Sequence, residues 1–288
     1  MKVARDPSEL PREPRAVAIG TFDGVHLGHR RVLDAAVGAG GTPTVVTFEP
    51  HPRTALGNRV ELLTTLDRRL ELLEAAGIEA VLVLAFDLEF ARTTPQEFAA
   101  RYLAAIGAET VVAGAGFRFG HRRSGDLDLL AGLGFDVRAI PHLDGVSSTA
   151  IRGLLQAGDV EPAARALGRP PEVDGTVVAG DARGGTLGFP TANLRLDPDL
   201  LVPAHGIYAG EALGHRAAVS IGVNPHYGGV EQRVEAFLLD YSGDLYGRRL
   251  VVELWARLRA ERAFADEAEL VAQIARDVEQ ARAAERPA

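Results

Sequence analysis

The sequence predicts a two-part α/β fold: a parallel sheet with helices on both faces, then a mostly antiparallel β half that closes into a small barrel and ends in a helix. Three observations carry this. Up to about residue 167, short apolar runs alternate with amphipathic helical stretches, the pattern of a covered parallel sheet. The segment LGRPPEVDG, 167–175, interrupts that pattern with two prolines and places a boundary between domains at 1–167 and 172–288. Beyond it, runs of alternating apolar residues are separated by Gly, Pro, Asn and Asp turns, and helical spacing returns only near the end.

In the first half the expected strands are Arg15 to Ile19, Thr44 to Phe48, Val81 to Phe86, Thr110 to Ala113 and Phe135 to Ile140. The best helical window is TTPQEFAARYLAAIG. Thr94 reads as its N-cap, Pro95 as its first residue and Glu97 as the capping-box partner. Phe98, Tyr102, Leu103 and Ile106 share one face, and Gly107 ends the helix. In the second half VDGTVVAG, RAAVSIG, RVEAFLLD and RRLVVELWARL read as strands. In the last of these, Leu250, Val252, Leu254, Ala256 and Leu258 alternate with Val251, Glu253, Trp255 and Arg257, which predicts one buried face. In the final helix Asp266 and Glu269 form a cap pair, and Leu270, Ile274, Val278 and Ala281 repeat at helical spacing.

Composition excludes several function classes. The 288 residues, 47% hydrophobic and 24% charged, suit about two globular domains. No run of apolar residues is long enough to span a membrane. The start, MKVARDPSELPREP, lacks the apolar region of a secretory signal. Cysteine is absent, which removes disulfide and thiolate chemistry and fits a cytoplasmic protein. A net charge of −8 argues against a nucleic-acid binder held by a basic surface, so anionic ligands need local charges.

Such charges and donors cluster in four places in the first half. Directly after the first strand stands GTFDGVHLGH, with Gly20, Gly24 and Gly28 around His26 and His29. Glycines at a strand-to-helix turn let the backbone approach a ligand, and the N–H groups of a helix start favour phosphate. Two imidazoles three residues apart can both donate to phosphate oxygens. A zinc pair or two surface histidines are the alternatives, and zinc wants more ligands than this sequence groups together. Further along come TFEPHP with His51, FRFGHRRSG with Arg118, His121, Arg122 and Arg123, and SSTAIR with Ser148, Thr149 and Arg152. In the last block, hydroxyls and N–H groups meet at a helix start with an arginine one turn in, although a plain N-cap with a solvated arginine looks the same.

The longer GxFDGVHxGH form, followed in order by these three blocks, resembles the N-terminal module of bacterial FAD synthetases within the HxGH nucleotidylyltransferase superfamily. The resemblance implies a Rossmann-like domain in which FMN attacks the α-phosphate of ATP, with Mg²⁺ assisting and pyrophosphate released. It assigns His26 and His29 to catalysis. Gly20, Phe22, Gly24, Ser148, Thr149 and Arg152 go to the nucleotide and its phosphates, and His51 and Arg118 to the flavin.

The β half carries GGTLGFPTAN, similar to the GFPTAN motif of riboflavin kinases, with Gly188 at the phosphate and Thr191 and Asn193 at Mg²⁺ and ATP; an ordinary β-turn is the alternative. In RVEAFLLD the carboxylate of Glu235 interrupts an apolar strand, which is costly without a partner or a task. Its position is similar to the catalytic glutamate of riboflavin kinases, which takes the proton of the 5′-hydroxyl as that oxygen attacks ATP. A glutamate on an edge strand, or one paired with an arginine, is the alternative reading. DLYG, 244–247, and LRAERAF, 258–264, also look like family blocks, with Arg259 and Phe264 beside the flavin ring.

Several positions depart from the family pattern. Gly116 stands where Asp or Asn is usual, Gly185 where an arginine is common, Asn224-Pro-His226 where Arg-Pro-Thr is usual, and Phe237 where His is common. Arg183, two residues before Gly185, is the candidate to supply the missing charge. The resemblance therefore implies a bifunctional enzyme acting on riboflavin, FMN and ATP. A paralogue with one working activity or a flavin analogue as substrate, and a degenerate flavin- or nucleotide-binding regulator, are the rival readings.

Overall fold

The computed structural model describes residues 1–180, 189–226 and 229–287. It divides into two compact units, Met1–Leu62 with Leu66–Ser147, and Leu63–Thr65 with Ser148–Ala288. The first unit is built on strands β1 (Lys2–Ala4), β2 (Arg15–Ile19), β3 (Thr42–Glu49), β4 (Ala80–Ala85), β5 (Ala108–Gly114) and β6 (Asp136–Ile140). They lie in the order β1-β4-β3-β2-β5-β6, and every neighbouring pair is parallel. Helices α1 (Leu27–Val37), α2 (Pro52–Ala55), α3 (Leu66–Ala75), α4 (Pro95–Phe98) and α5 (Leu127–Gly132) connect them.

The sheet is buried on both sides, as its continuous apolar strands require. Val17, Ile19, Val46, Leu82 and Val111 face a core shared with Phe98, Leu103, Ile106 and Leu130. Ala18, Val45, Val81 and Val112 face the other, with Val32, Leu33 and Ala36 of α1 and Leu73 of α3. The strand order reverses between β2 and β5, and in open α/β sheets the carboxyl ends at such a point form the ligand crevice.

The second unit opens with α6 (Ser148–Ala157) and α7 (Val160–Leu167). Then come β7 (Glu172–Val178), β8 (Ala192–Leu196), β9 (Gly206–Ala212), β10 (His215–His226), β11 (Gly229–Leu238) and β12 (Arg249–Arg259), and α8 (Glu267–Ala283) follows. The strands close into a barrel in the order β10-β11-β8-β7-β12-β9, all pairs antiparallel. Its buried set is largely aliphatic, including Val173, Val177, Ala217, Val219, Val234, Ala236, Leu250 and Val252, with the larger Tyr208 and Trp255 among them.

The expected fold class is what forms, with local differences. β1, β8 and β9 stand where no strand is expected. The helix begun at Thr94 has its capping box, but Ala99–Ala104 continue it with π-type spacing. The strand in RVEAFLLD stops at Leu238, where Asp240 turns the chain with φ 57°. In β12 the strict alternation fails. The register against β9 shifts between Leu254 and Ala256, so Leu254 and Trp255 are both buried and Ala256 is not. A bulge of this kind puts consecutive side chains out of the pleat's alternation.

Candidate functional site

β2 delivers the chain to its carboxyl end at Ile19, where the loop Gly20–Val25 turns it into α1. Three residues of that loop have positive φ: Phe22 at 50°, Gly24 at 82° and Val25 at 39°. For Phe22 and Val25 such angles cost about 1–3 kcal/mol each, and both side chains are buried, so packing holds the strain. The aromatic ring of Phe22 lies across Gly20, where a Cβ would come within 3.3 Å of it.

His26 is the N-cap of α1, and its Nδ1 accepts the backbone N–H of His29 at 3.2 Å. An accepting Nδ1 leaves the proton of the neutral ring on Nε2. The rings of His26 and His29 stack at a centroid distance of 3.6 Å and 16°, and Phe22 meets His29 edge-on at 5.2 Å. Gly28 makes this possible, because a Cβ there would stand 3.1 Å from the His26 ring. Burial first, then the nearby His26 and Arg69, hold the His29 imidazole well below the ordinary histidine value. Its Nδ1 is buried without a hydrogen-bond partner. The neutral His29 ring, stacked on the N-capping His26, thus offers an N–H donor suited to developing charge on a phosphate. Among the described residues no group of three or more His, Asp or Glu is placed to hold a metal.

Arg69 was not anticipated. It projects from α3 with 1% exposure, donating to the carbonyl of Phe48 and to Glu49, each at 3.3 Å. The available signal was a charged residue one turn before the buried Leu73.

The other expected residues of this half are placed as follows. His51 caps the short α2, its Nδ1 accepting from the N–H of Arg53. Arg118 is paired at 2.6 Å with Asp126, the N-cap of α5, so its charge is already engaged. Arg122 and Arg123 sit in a turn with φ 53° and 58°, where the N–H of Arg123 donates to the carbonyl of Gly120 at 2.9 Å. A Cβ at Gly116 would lie 3.1 Å from Nε2 of His142, so that ring takes up the space that a side chain at 116 would need. Ser148, Thr149 and Arg152 fall in the second unit, where α6 starts at Ser148 and Ile151 and Leu155 are its buried side.

In the barrel, Glu235 of β11 is in register with Asn193 of β8 on one side and Ser220 of β10 on the other. β11 therefore lies inside the sheet, and the edge-strand reading of Glu235 does not hold. The arginine-paired reading does: Arg233 Nη2 donates to Glu235 Oε1. Asn193 packs its amide against Gly180, where a Cβ would collide with it. Thr191 immediately precedes β8, and Phe189 meets Phe237 edge-on at 5.5 Å. Asn193 and Glu235 thus bring an amide and a carboxylate to paired positions of β8 and β11, two residues from the Thr191 hydroxyl. Arg183, Gly185 and Gly188 lie outside the described residues.

Arg259 stands 5.7 Å over the ring of Phe264. Its guanidinium is bound side-on by Asp277 of α8 at 2.7–3.1 Å, and Gln273 donates to the same carboxylate. These two polar residues on the buried face of α8 were not read from the sequence, because its apolar spacing drew attention to Leu270 and Ile274.

The comparisons fall on these same two halves. The FAD synthetase family model matches residues 9–151 and the riboflavin kinase family model residues 167–285. A bifunctional riboflavin kinase/FMN adenylyltransferase of Listeria monocytogenes is 36% identical over 290 residues, covering 93% of this chain and 92% of its own. Its namesake in Escherichia coli strain K12 is 39% identical, covering 94% and 92%. That of Pseudomonas fluorescens is 38% identical over 100% and 99%. A solved Streptococcus pneumoniae structure described as a macrolide-efflux protein shares 32% identity, with TM-score 0.87 and coverage of 97% and 98%. No helix among the described residues is long and apolar enough to cross a membrane.

Proposed function

The chain belongs to the family of bifunctional riboflavin kinase/FMN adenylyltransferases, enzymes of flavin cofactor biosynthesis, and from that premise we propose which of its groups carry each reaction. In adenylylation a phosphate oxygen of FMN attacks the α-phosphorus of ATP, the bond to the bridging oxygen breaks, and pyrophosphate leaves. His26 and His29 donate N–H groups to the oxygens that gain charge, in a loop whose shape is fixed before ligand arrives. Gly20, Phe22 and Gly24 shape that loop. Ser148, Thr149 and Arg152 are assigned to anion binding, and His51 to the flavin. Arg118, engaged with Asp126, has to exchange partners to meet a ligand.

In phosphorylation Glu235 accepts the proton of the riboflavin 5′-hydroxyl as that oxygen bonds to the γ-phosphorus and ADP departs. Thr191 and Asn193 hold Mg²⁺, which supplies charge neutralisation on the ATP phosphates. Arg259, oriented by Asp277, and Phe264 flank the flavin ring.

The observation that supports this most is the stacked histidine pair at the start of α1, with His29 held well below the ordinary histidine value, an arrangement that two unrelated surface histidines have no reason to adopt. The test supplies riboflavin, ATP and Mg²⁺ and separates the flavins. His26→Ala is expected to lower FAD formation by roughly a hundredfold or more while FMN formation holds. Equal loss of both products would return the histidines to a structural role.

A further inference from the structure

Glu235 presents a difficulty for the reading above, because its carboxylate is not free. Arg233, two residues earlier on β11, lies on the same face of the pleat, and Val234, Ala236 and Leu238 fill the opposite, buried face. The arginine side chain is 31% exposed and the glutamate 16%. An arginine bound to both oxygens would block a base, but here Nη2 reaches Oε1 alone. Oε2 has no partner among the described residues.

We propose that Arg233 is a positioning residue for riboflavin phosphorylation. It fixes the carboxylate of Glu235 by one oxygen and leaves the other aimed at the proton to be taken. The inference rests on Glu235 being the base. In the step, the 5′-hydroxyl O–H bond breaks and its proton goes to Oε2. The hydroxyl oxygen bonds to the γ-phosphorus, and the γ-phosphorus–bridging-oxygen bond breaks to release ADP. Two physical features favour the arrangement. Glu235 has short neighbours across the sheet, Ser220 and Asn193, so a long side chain from its own strand is needed to limit its rotamers. A carboxylate beside a triphosphate also repels it, and the guanidinium offsets that charge without moving. The cross-strand neighbour of Arg233 on β10 is Gly222, and the carboxylate of Glu261 occupies the space that a Cβ at 222 would need.

The experiment uses the full-length enzyme with Mg²⁺, measuring kcat and KM for riboflavin and ATP, FAD formation from supplied FMN, and thermal melting. The variants are Arg233→Gln, Arg233→Lys and Glu235→Gln. Arg233→Gln is expected to lower kcat for FMN formation roughly tenfold or more, with both KM values within about twofold of wild type. Arg233→Lys, which keeps charge and a donor, is expected to recover most of that loss. FAD formation from FMN stays unchanged throughout. If Arg233→Gln melts early, Arg233→Met, which keeps the aliphatic stem, takes its place in the comparison. A wild-type kcat in the neutral variant, with Glu235→Gln inactive, overturns the role of Arg233 and leaves the base in place. A rise in KM for ATP alone overturns it too, since that marks a substrate contact. Full activity in Glu235→Gln removes the base itself, and the inference with it.

Discussion

His29 shows how much of the first site depends on single side chains. Its imidazole is held well below 6.5 in the folded protein, mainly by burial, then by His26 and Arg69. The unfolded chain therefore binds a proton near 6.5 that the folded chain refuses. The stabilisation is complete above that value and is lost as pH falls through it toward the lower folded value. Melting temperature is thus expected to drop between about pH 7 and pH 5, and His29→Gln to flatten that slope; parallel curves for the two proteins would refute the assignment. Gly28 makes a second case. A methyl group there meets the His26 ring at 3.1 Å, so the ring has to shift by a few tenths of an ångström. Gly28→Ala is expected to reduce FAD formation by roughly tenfold, with FMN formation unchanged, which an assay of each step from its own substrate will show. The spacing of the two histidines was legible in the sequence. Their stacking was not, because it follows from His26 serving as an N-cap, and Arg69 was hidden by an ordinary amphipathic helix.

Elements were legible in proportion to how well they obey one period. β2 lies where its four apolar residues put it, and Thr94, Asp266 and their glutamates cap as the sequence reads. β8 and β9 were lost because Pro, Gly and Ala dilute the alternation around them, and β1 because three residues in a polar start pair only with β4. The bulge in β12 was invisible for a different reason: an extra residue leaves the pattern intact on both sides and only changes its phase. Trp255 pays for its inward turn by donating to Glu253 at 2.7 Å and packing under Arg216 at 4.2 Å. On α8, Asp277 is 3% exposed and joined to Arg259. Asp277→Ala leaves that cation without its partner and is expected to cost on the order of 3 kcal/mol, seen in denaturant melts. Asp277→Asn, which retains an acceptor, is expected to cost less; equal, small losses would mean the pair is weakly coupled to the fold.

At the level of the molecule, the proposed boundary near Pro170 and the compact units differ in where they leave two helices. α7 buries Val160, Ala163, Ala164 and Leu167 within the second unit, and the backbone of Leu155 and Pro171 accepts from Ala204 and Leu254. A fragment from Glu172 onward is expected to fold and hold the kinase activity, but one from Ser148 onward should melt at higher temperature. Identical melting would show that α6 and α7 add nothing to the barrel. The two sheets also differ in how far apart along the chain their partners lie. Val219 pairs with Tyr208 across a short hairpin, whereas Val17 must find Val111. Parallel neighbours need crossovers, and loops have to be closed before such contacts reward the chain. The two activities should accordingly return at different times when denatured protein is diluted into buffer. Phosphorylation of riboflavin is expected to reappear first, and for an interval the refolding enzyme makes FMN that it has not yet become able to adenylylate.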